Sequence, residues 1–269
     1  MSANINSVMV VGERPWHGLG TKLDNPATAA EAIKAAGLDW NVEKQEVFLG
    51  DGSRAGSLYA VVRTDTGATL GGVGTRYVPL QNASAFSFFD AIVGIKGAIY
   101  HTAGALGLGE RIWVLAKLPG EVRVVGDDIS KKYLLLSNSH DGSSPVTVMF
   151  TPIRVVCQNT LNLAISDGTQ KRSAARHTET LGLRVSEIQD GLGIINAKFV
   201  LFESMARKLA TVQLTQEAFK DYVQSLGLAT SENDKGELVR KSAHIMEEMS
   251  MLFETGKGAD MPGVRGTAW

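Results

Sequence analysis

Val42-Glu-Lys-Gln-Glu-Val-Phe-Leu49, Leu58-Tyr-Ala-Val-Val-Arg63 and Gly71-Gly-Val-Gly-Thr-Arg-Tyr-Val-Pro-Leu80 follow one another, divided by Asp51-Gly52 and Asp65-Thr66-Gly67. Runs rich in Val, Tyr and Phe and bounded by turn residues read as strands. Connections this short join antiparallel neighbours, because a parallel crossover needs a dozen or more residues. The same pattern continues downstream at Ile99 to Thr102, Arg111 to Leu118 and Val122 to Val125. One helix, about Ala83 to Val93, interrupts the strands and is expected to cover a face of the sheet. A further β pair, Lys132 to Asn138 and Val146 to Thr151, flanks the turn His140-Asp-Gly-Ser-Ser144. Upstream, an irregular arm, Gly12 to Thr21, leads to a helix from Ala27 to Ala36, with Thr28 placed to cap it and Gly37 to end it.

Beyond the strands the periodicity changes. Ile153 to Ile165 reads as helix, and Val185, Ile188, Leu192, Ile195, Phe199, Phe202, Ala206 and Leu209 alternate spacings of three and four residues. That is the seam of a long amphipathic helix. Shorter helices are expected at Gln216 to Leu226 and Glu237 to Phe253. The expected fold class is α+β: an antiparallel β-meander with covering helices, followed by a long helical C-terminal region. Residues 1–165 would form the core with its arm, 166–255 a helical region packed on the core or on a neighbouring subunit, and 256–269 a glycine-rich tail. The tail stops without a natural terminus, so the chain is expected to continue past Trp269.

At 269 residues and 44% hydrophobic content, the chain is able to bury a sizeable core. Lys and Arg total 27 against 28 for Asp and Glu, a net charge of -1 that excludes coating duplex DNA by charge alone. Any nucleic-acid site must be a local patch. The single Cys157 lies in an apolar stretch, which leaves no disulfide framework and no Cys-based zinc site. No apolar run approaches the roughly 20 residues that span a bilayer. The expectation is a cytoplasmic protein away from the membrane.

Enzyme signatures fail on spacing. Cys157 as a nucleophile would need His177 or His140 brought to it by the fold. His140, Asp141 and Ser143 share residue types with a triad, but their adjacency on a turn is not triad geometry. The five histidines show no HxxxH or HxH spacing. Gly104-Ala-Leu-Gly-Leu-Gly109 misses the dinucleotide spacing, and no phosphate-loop motif occurs. The expectation is a non-enzyme without cofactor or metal.

Five ordered motifs form a recognisable set: Pro15-Trp-His-Gly-Leu-Gly-Thr21, Ala36-Gly-Leu-Asp-Trp40, Tyr77-Val-Pro-Leu-Gln-Asn82, Thr151-Pro-Ile-Arg-Val-Val-Cys-Gln-Asn-Thr-Leu161 and Arg176-His-Thr178. With them the chain resembles the phage/plasmid-like family named for its Leu-Gly-Thr motif, domain of unknown function 932. The resemblance implies a mobile genetic element as context. The order of elements is also similar to that of phage single-strand annealing proteins of the RecT and Red-beta type, which implies recombination by strand annealing.

The candidate phosphate contacts are Lys171, Arg172 and Arg176, with His177 beside them, in a segment with no acid before Glu179. Arg154 and Arg184 extend the set, since guanidinium groups hold a nucleic-acid backbone without reading bases. A solvated loop is the competing reading. Arg154, Gln158, Asn159 and Asn162 would share one helix face and either contact phosphates or satisfy backbone groups in the core. Trp16, Tyr77 and Tyr133, each near basic residues or glycines, are candidate stacking platforms or anchors. The resulting expectation is a mobile-element protein that binds and anneals single-stranded DNA as a homo-oligomer. The alternative is a phage or plasmid interaction protein that uses its helical seam on a protein partner and never touches DNA.

Overall fold

The computed structural model describes residues 4–90, 98–166, 173–182, 195–231, 239–256 and 258–269. Its strands are β1 (Ile5–Val11), β2 (Thr21–Leu23), β3 (Val42–Phe48), β4 (Arg54–Arg63), β5 (Thr69–Val73), β6 (Ile99–Leu106), β7 (Arg111–Arg123), β8 (Ile129–Ser139), β9 (Val146–Thr151) and β10 (Ser173–Ala175). The helices are α1 (Ala29–Ala35), α2 (Asn82–Asp90), α3 (Gln158–Ser166), α4 (Ile195–Thr211), α5 (Gln216–Ser225) and α6 (Arg240–Thr255). The chain divides into two compact units, the first Met1–Gly120 with Lys131–Ile195, the second Glu121–Ser130 with Asn196–Trp269.

The first unit holds a seven-stranded sheet in the order β10-β9-β8-β7-β6-β1-β2 and a three-stranded sheet in the order β3-β4-β5. The short connections produce the expected antiparallel pairs, β3 with β4, β4 with β5, β6 with β7 and β8 with β9. One face of the large sheet contributes Val8, Val10, Trp113, Leu115, Leu135 and Met149 to a core completed by Leu161 and Ala164 of α3. Elsewhere in the unit, α2 packs Phe86 and Phe89 against Tyr100, whose hydroxyl donates to the Phe86 carbonyl and to Asp90. Burial on both faces explains why Tyr133 to Leu136 of β8 and Val148 to Phe150 of β9 are apolar without alternation. Thr28 caps α1 as expected, in a reciprocal capping box with Glu31.

Several sequence expectations need correction. The stretch before α1 is not only an irregular arm. It contains β1, which lies inside the large sheet antiparallel to β6, and β2, which runs parallel to β1. Ile-Asn-Ser-Val-Met-Val-Val lacks the strict alternation that marks a half-buried strand, because its last four residues are all buried. The helix expected from Ile153 begins at Gln158 instead. Before it, Thr160 Oγ1 accepts from the Val156 and Cys157 amides, and Thr102 Oγ1 donates to the Val155 carbonyl, so a local cap and one tertiary bond hold the backbone out of helix.

The long helical C-terminal region does not form. Helices are scattered along the chain, and the fold is α+β with sheet dominating the first unit. In the second unit α4, α5 and α6 are separate, and the backbone between α4 and α5 pairs with the glycine-rich tail through Gln213 and Thr267. Leu214 N–H also donates to the Gly266 carbonyl, and Ala268 N–H to that of Val212. Thr215 then caps α5, and the Gly227 turn, at φ 75°, ends it. Phe219 of α5 stacks on Phe253 of α6 at 4.3 Å, beside a small core of Val223, Ala229 and Met246. The Trp269 indole donates to Asp128. Of the apolar seam expected from Val185 to Leu209, residues 183–194 lie outside the described residues.

Candidate functional site

Four segments of the first unit converge on one cleft: β4 at Ser57, the chain leaving β5, the turn between β8 and β9, and the residues after β10. Their approach is close because Gly71 carries no side chain. A Cβ there would lie 2.7 Å from the Cα of Asp141, against backbone that cannot yield. Gly71→Ala is therefore expected to cost about 1–3 kcal/mol by overpacking and to loosen the cleft. An unchanged urea midpoint would show that the contact is not tight.

The turn is rigid by its own hydrogen bonds. Asp141 Oδ1 accepts from Ser139 Oγ at 2.5 Å and from the Ser143 amide at 2.9 Å. Burial opposes the Asp141 charge, but the bonds from Ser139 and Ser143 and the charge of Arg111 outweigh it and hold the carboxyl below its usual range. Tyr77 is tied to the same turn, its hydroxyl donating to the Ser139 carbonyl at 2.9 Å. Burial, aided by the Asp141 charge, raises the Tyr77 hydroxyl well above an ordinary phenol.

His177 stacks on Tyr77 with ring centroids 4.6 Å apart and planes at 22°. Its backbone carbonyl accepts from Val78 N–H at 3.0 Å, and its Nδ1 lies 3.1 Å from the Val78 carbonyl. A carbonyl only accepts, so Nδ1 carries the proton in the neutral ring and Nε2 presents a lone pair. Burial lowers the His177 pKa, which keeps the ring neutral. Nε2 is buried and has no hydrogen-bond partner.

The cleft above this stack has a volume of about 740 Å³. Arg76 and Arg176 stand exposed on its walls, with hydroxyls from Ser57, Thr75, Ser143, Ser144 and Thr178 around them. Among the described residues neither arginine is ion-paired. Two uncompensated guanidiniums among hydroxyl donors suit a phosphate or another multidentate oxyanion.

Beneath the turn lies a buried polar junction. Asn82, at the start of α2, donates through Nδ2 to the Leu38 and Trp40 carbonyls, both at 3.1 Å. With both amide protons used, its Oδ1 accepts from His140 Nε2 at 3.0 Å. Trp40 packs against His140 and carries Arg63 over its indole face at 4.1 Å. The junction ties α2, the segment before β3 and the end of β8 to one another, and so sets where the turn sits.

Of the residues expected to form a site, the fold brings together Tyr77, Arg176 and His177 and adds Arg76. Lys171, Arg172 and Arg184 lie outside the described residues. Arg154 is elsewhere, its guanidinium bonded to the Glu13 carbonyl. It precedes α3, so it does not share a helix face with Asn159 and Asn162; Gln158 instead bonds Asn162 within α3 at 2.9 Å. Tyr133 is only 2% exposed and stacks on His101, leaving no open face for a base. Trp16 is 77% exposed and meets the ring of His17 edge-on, while His17 Nε2 lies 3.3 Å from the Val156 carbonyl. Sequence reading set Tyr77 near basic residues but did not join it to His177, which lies 99 positions from the Val78 carbonyl it bonds. No local spacing encodes such a contact. Among the described residues no helix is long and apolar enough to cross a membrane, and no cluster of three His, Cys, Asp or Glu is placed to hold a metal ion.

One family of proteins, described as Domain of unknown function (DUF932), matches over residues 69–269. The matched span includes the whole turn, the residues after β10 and most of the cleft wall. No curated protein and no solved structure matches the chain. The match covers well over half of the chain, which therefore belongs to that family.

Proposed function

We propose that this DUF932 protein binds single-stranded nucleic acid through its phosphates, using the cleft of the first unit, and that as an oligomer it anneals strands for a mobile element. The observation that carries the reading is the pair of unpaired guanidiniums, Arg76 and Arg176, set among hydroxyl donors over a rigid turn. The site neutralises phosphate without reading bases. The exposed Trp16 ring favours single strands over duplex, because only an unpaired base has a free face to stack on it. In this reading the protein binds and turns nothing over.

A second reading rests on α4, where Leu201, Met205, Leu209 and, just beyond the helix, Val212 are exposed at spacings of four, four and three. An apolar stripe of this kind suits a protein partner. The two readings part on one experiment, fluorescence anisotropy of a labelled oligonucleotide across a salt series. The first expects binding at low salt, weakened about 100-fold in Arg76→Ala/Arg176→Ala at roughly 1.5 kcal/mol per lost charge-assisted contact. The salt slope should also fall by about 1.4, at ~0.7 per phosphate on a single strand. The melting temperature should hardly move, since both side chains are exposed. Absence of binding to single strands at low salt would discard this reading in favour of the second.

A further inference from the structure

The first unit carries another group of cations, away from the cleft, at the opposite end of β8. Lys131 and Tyr133 lie near the start of that strand, whereas the cleft turn leaves its end at Ser139. Lys117 of β7 pairs in register with Ile99 of β6, and two residues further along β6 the ladder shifts between Tyr100 and Thr102. The extra residue of that bulge is His101. Bulges re-aim a side chain out of the regular pleat, and here His101 is turned onto the face of Tyr133, with centroids 5.2 Å apart and planes at 22°.

His101 is 7% exposed, and its Nε2 is buried without a hydrogen-bond partner. Arg154, which follows β9, bonds the Glu13 carbonyl through Nη2, but its Nε is likewise buried and unpartnered. Two orphaned nitrogens in one neighbourhood are unusual, because buried polar atoms nearly always find partners. Among the described residues, the charges that act on His101 are all of one sign. Arg154, Lys131 and Lys117 each act on His101, and among the described residues none of the three is ion-paired. Three like charges acting on one ring make a region of positive potential, which an anion would neutralise.

We infer that Lys117, Lys131 and Arg154, set around the His101–Tyr133 stack, form a second anion site that takes a phosphate group, separate from the cleft of Arg76 and Arg176. Arg154 Nε–H supplies a donor. His101 donates as well while neutral, in the tautomer that carries its proton on the unpartnered Nε2. The two lysines supply charge at the rim. The ligand chemistry is a phosphate oxyanion, either free or in the backbone of an oligonucleotide.

The test is NMR of the histidine rings in the full chain, titrated with inorganic phosphate and, separately, with a thymidine dinucleotide, at ionic strength held constant with chloride. Saturable shifts of the His101 resonances are expected. They should weaken at least about 5-fold in Lys117→Gln/Lys131→Gln, which removes two attractive charges at the rim, and persist in Arg76→Ala/Arg176→Ala. Saturation by both probes supports a site that accepts a phosphodiester, and saturation by inorganic phosphate alone restricts it to free phosphate. The inference is overturned if His101 does not respond to phosphate, or if its response survives unchanged in the lysine variant. Because the arginine variant reads the cleft separately, loss of oligonucleotide binding there with an intact His101 response would leave this site standing.

Discussion

Asn82→Ala should lower the stability of the first unit by about 3–5 kcal/mol, counting the lower half of the 1–3 kcal/mol range for each of three buried polar groups left without a partner, the largest effect expected of any single substitution here. Asn82 is 1% exposed and satisfies three groups at once, the Leu38 and Trp40 carbonyls and His140 Nε2. Alanine removes all three partners and admits little water to replace them. At roughly 2–4 °C per kcal/mol for a unit of this size, the melting temperature should fall by about 10 °C. Asn82→Asp should recover only part of the loss, since a carboxylate still accepts from His140 but has no N–H for the two carbonyls. Thermal unfolding followed by circular dichroism measures both. A fall under about 2 °C for alanine would mean that the junction does not hold the turn in place.

Acidification should unfold the protein through its buried histidines. Burial, with help from nearby positive charges, lowers the His101 pKa to about 3 and that of His140 to about 4, and burial lowers that of His177 as well. In the unfolded chain each titrates near 6.5. Below pH 6.5 the unfolded state therefore takes up protons that the native state refuses, so stability falls as pH drops and keeps falling until the folded pKa values are reached. At about 1.4 kcal/mol per pKa unit, His140 alone removes on the order of 3 kcal/mol by pH 4, and His101 a comparable amount. The sum rivals the whole stability of a typical domain, about 5–15 kcal/mol. Asp141 and Asp65, whose pKa values are lowered, act with the same sign but only below the ordinary carboxylate range, outside this window. Urea titrations in phosphate-free buffer between pH 7 and 4.5 provide the check. The expected result is a slope approaching uptake of about two protons near pH 5 from His101 and His140, with His177 adding to it in the same direction. Stability that stays level from pH 7 to 5 would contradict the buried, neutral assignment of all three rings.

The sequence by itself determined what depends on neighbours along the chain. Asp51-Gly52 and Asp65-Thr66-Gly67 made the β3-β4-β5 sheet antiparallel, because turns that short permit nothing else. Thr28 and Glu31 placed the start of α1, and the His140-Asp-Gly-Ser-Ser144 turn separated β8 from β9, each through contacts within five residues. The resemblance named the family to which the chain belongs, and of the motifs that carried it those at Tyr77, Thr151 and Arg176 lie inside the matched span.

Only the tertiary structure decided the rest. β1 carries too little alternation to declare itself, and it becomes a strand because β6 and β2 offer it hydrogen-bonding edges inside a sheet that buries its last four residues. Helical periodicity in the C-terminal third was real over α4, α5 and α6, but period alone cannot show where a helix yields to a backbone bridge such as Gln213 with Thr267. The candidate site belongs wholly to this second category. Arg76 and Tyr77 meet Arg176 and His177 because Gly71 lets β5 close on the Asp141 turn and Asn82 fixes that turn from below. Tyr133, an equal candidate by composition, is buried under His101 by a one-residue bulge. Residue type and spacing are local quantities, whereas a binding cleft is made by segments that only the packed core holds side by side.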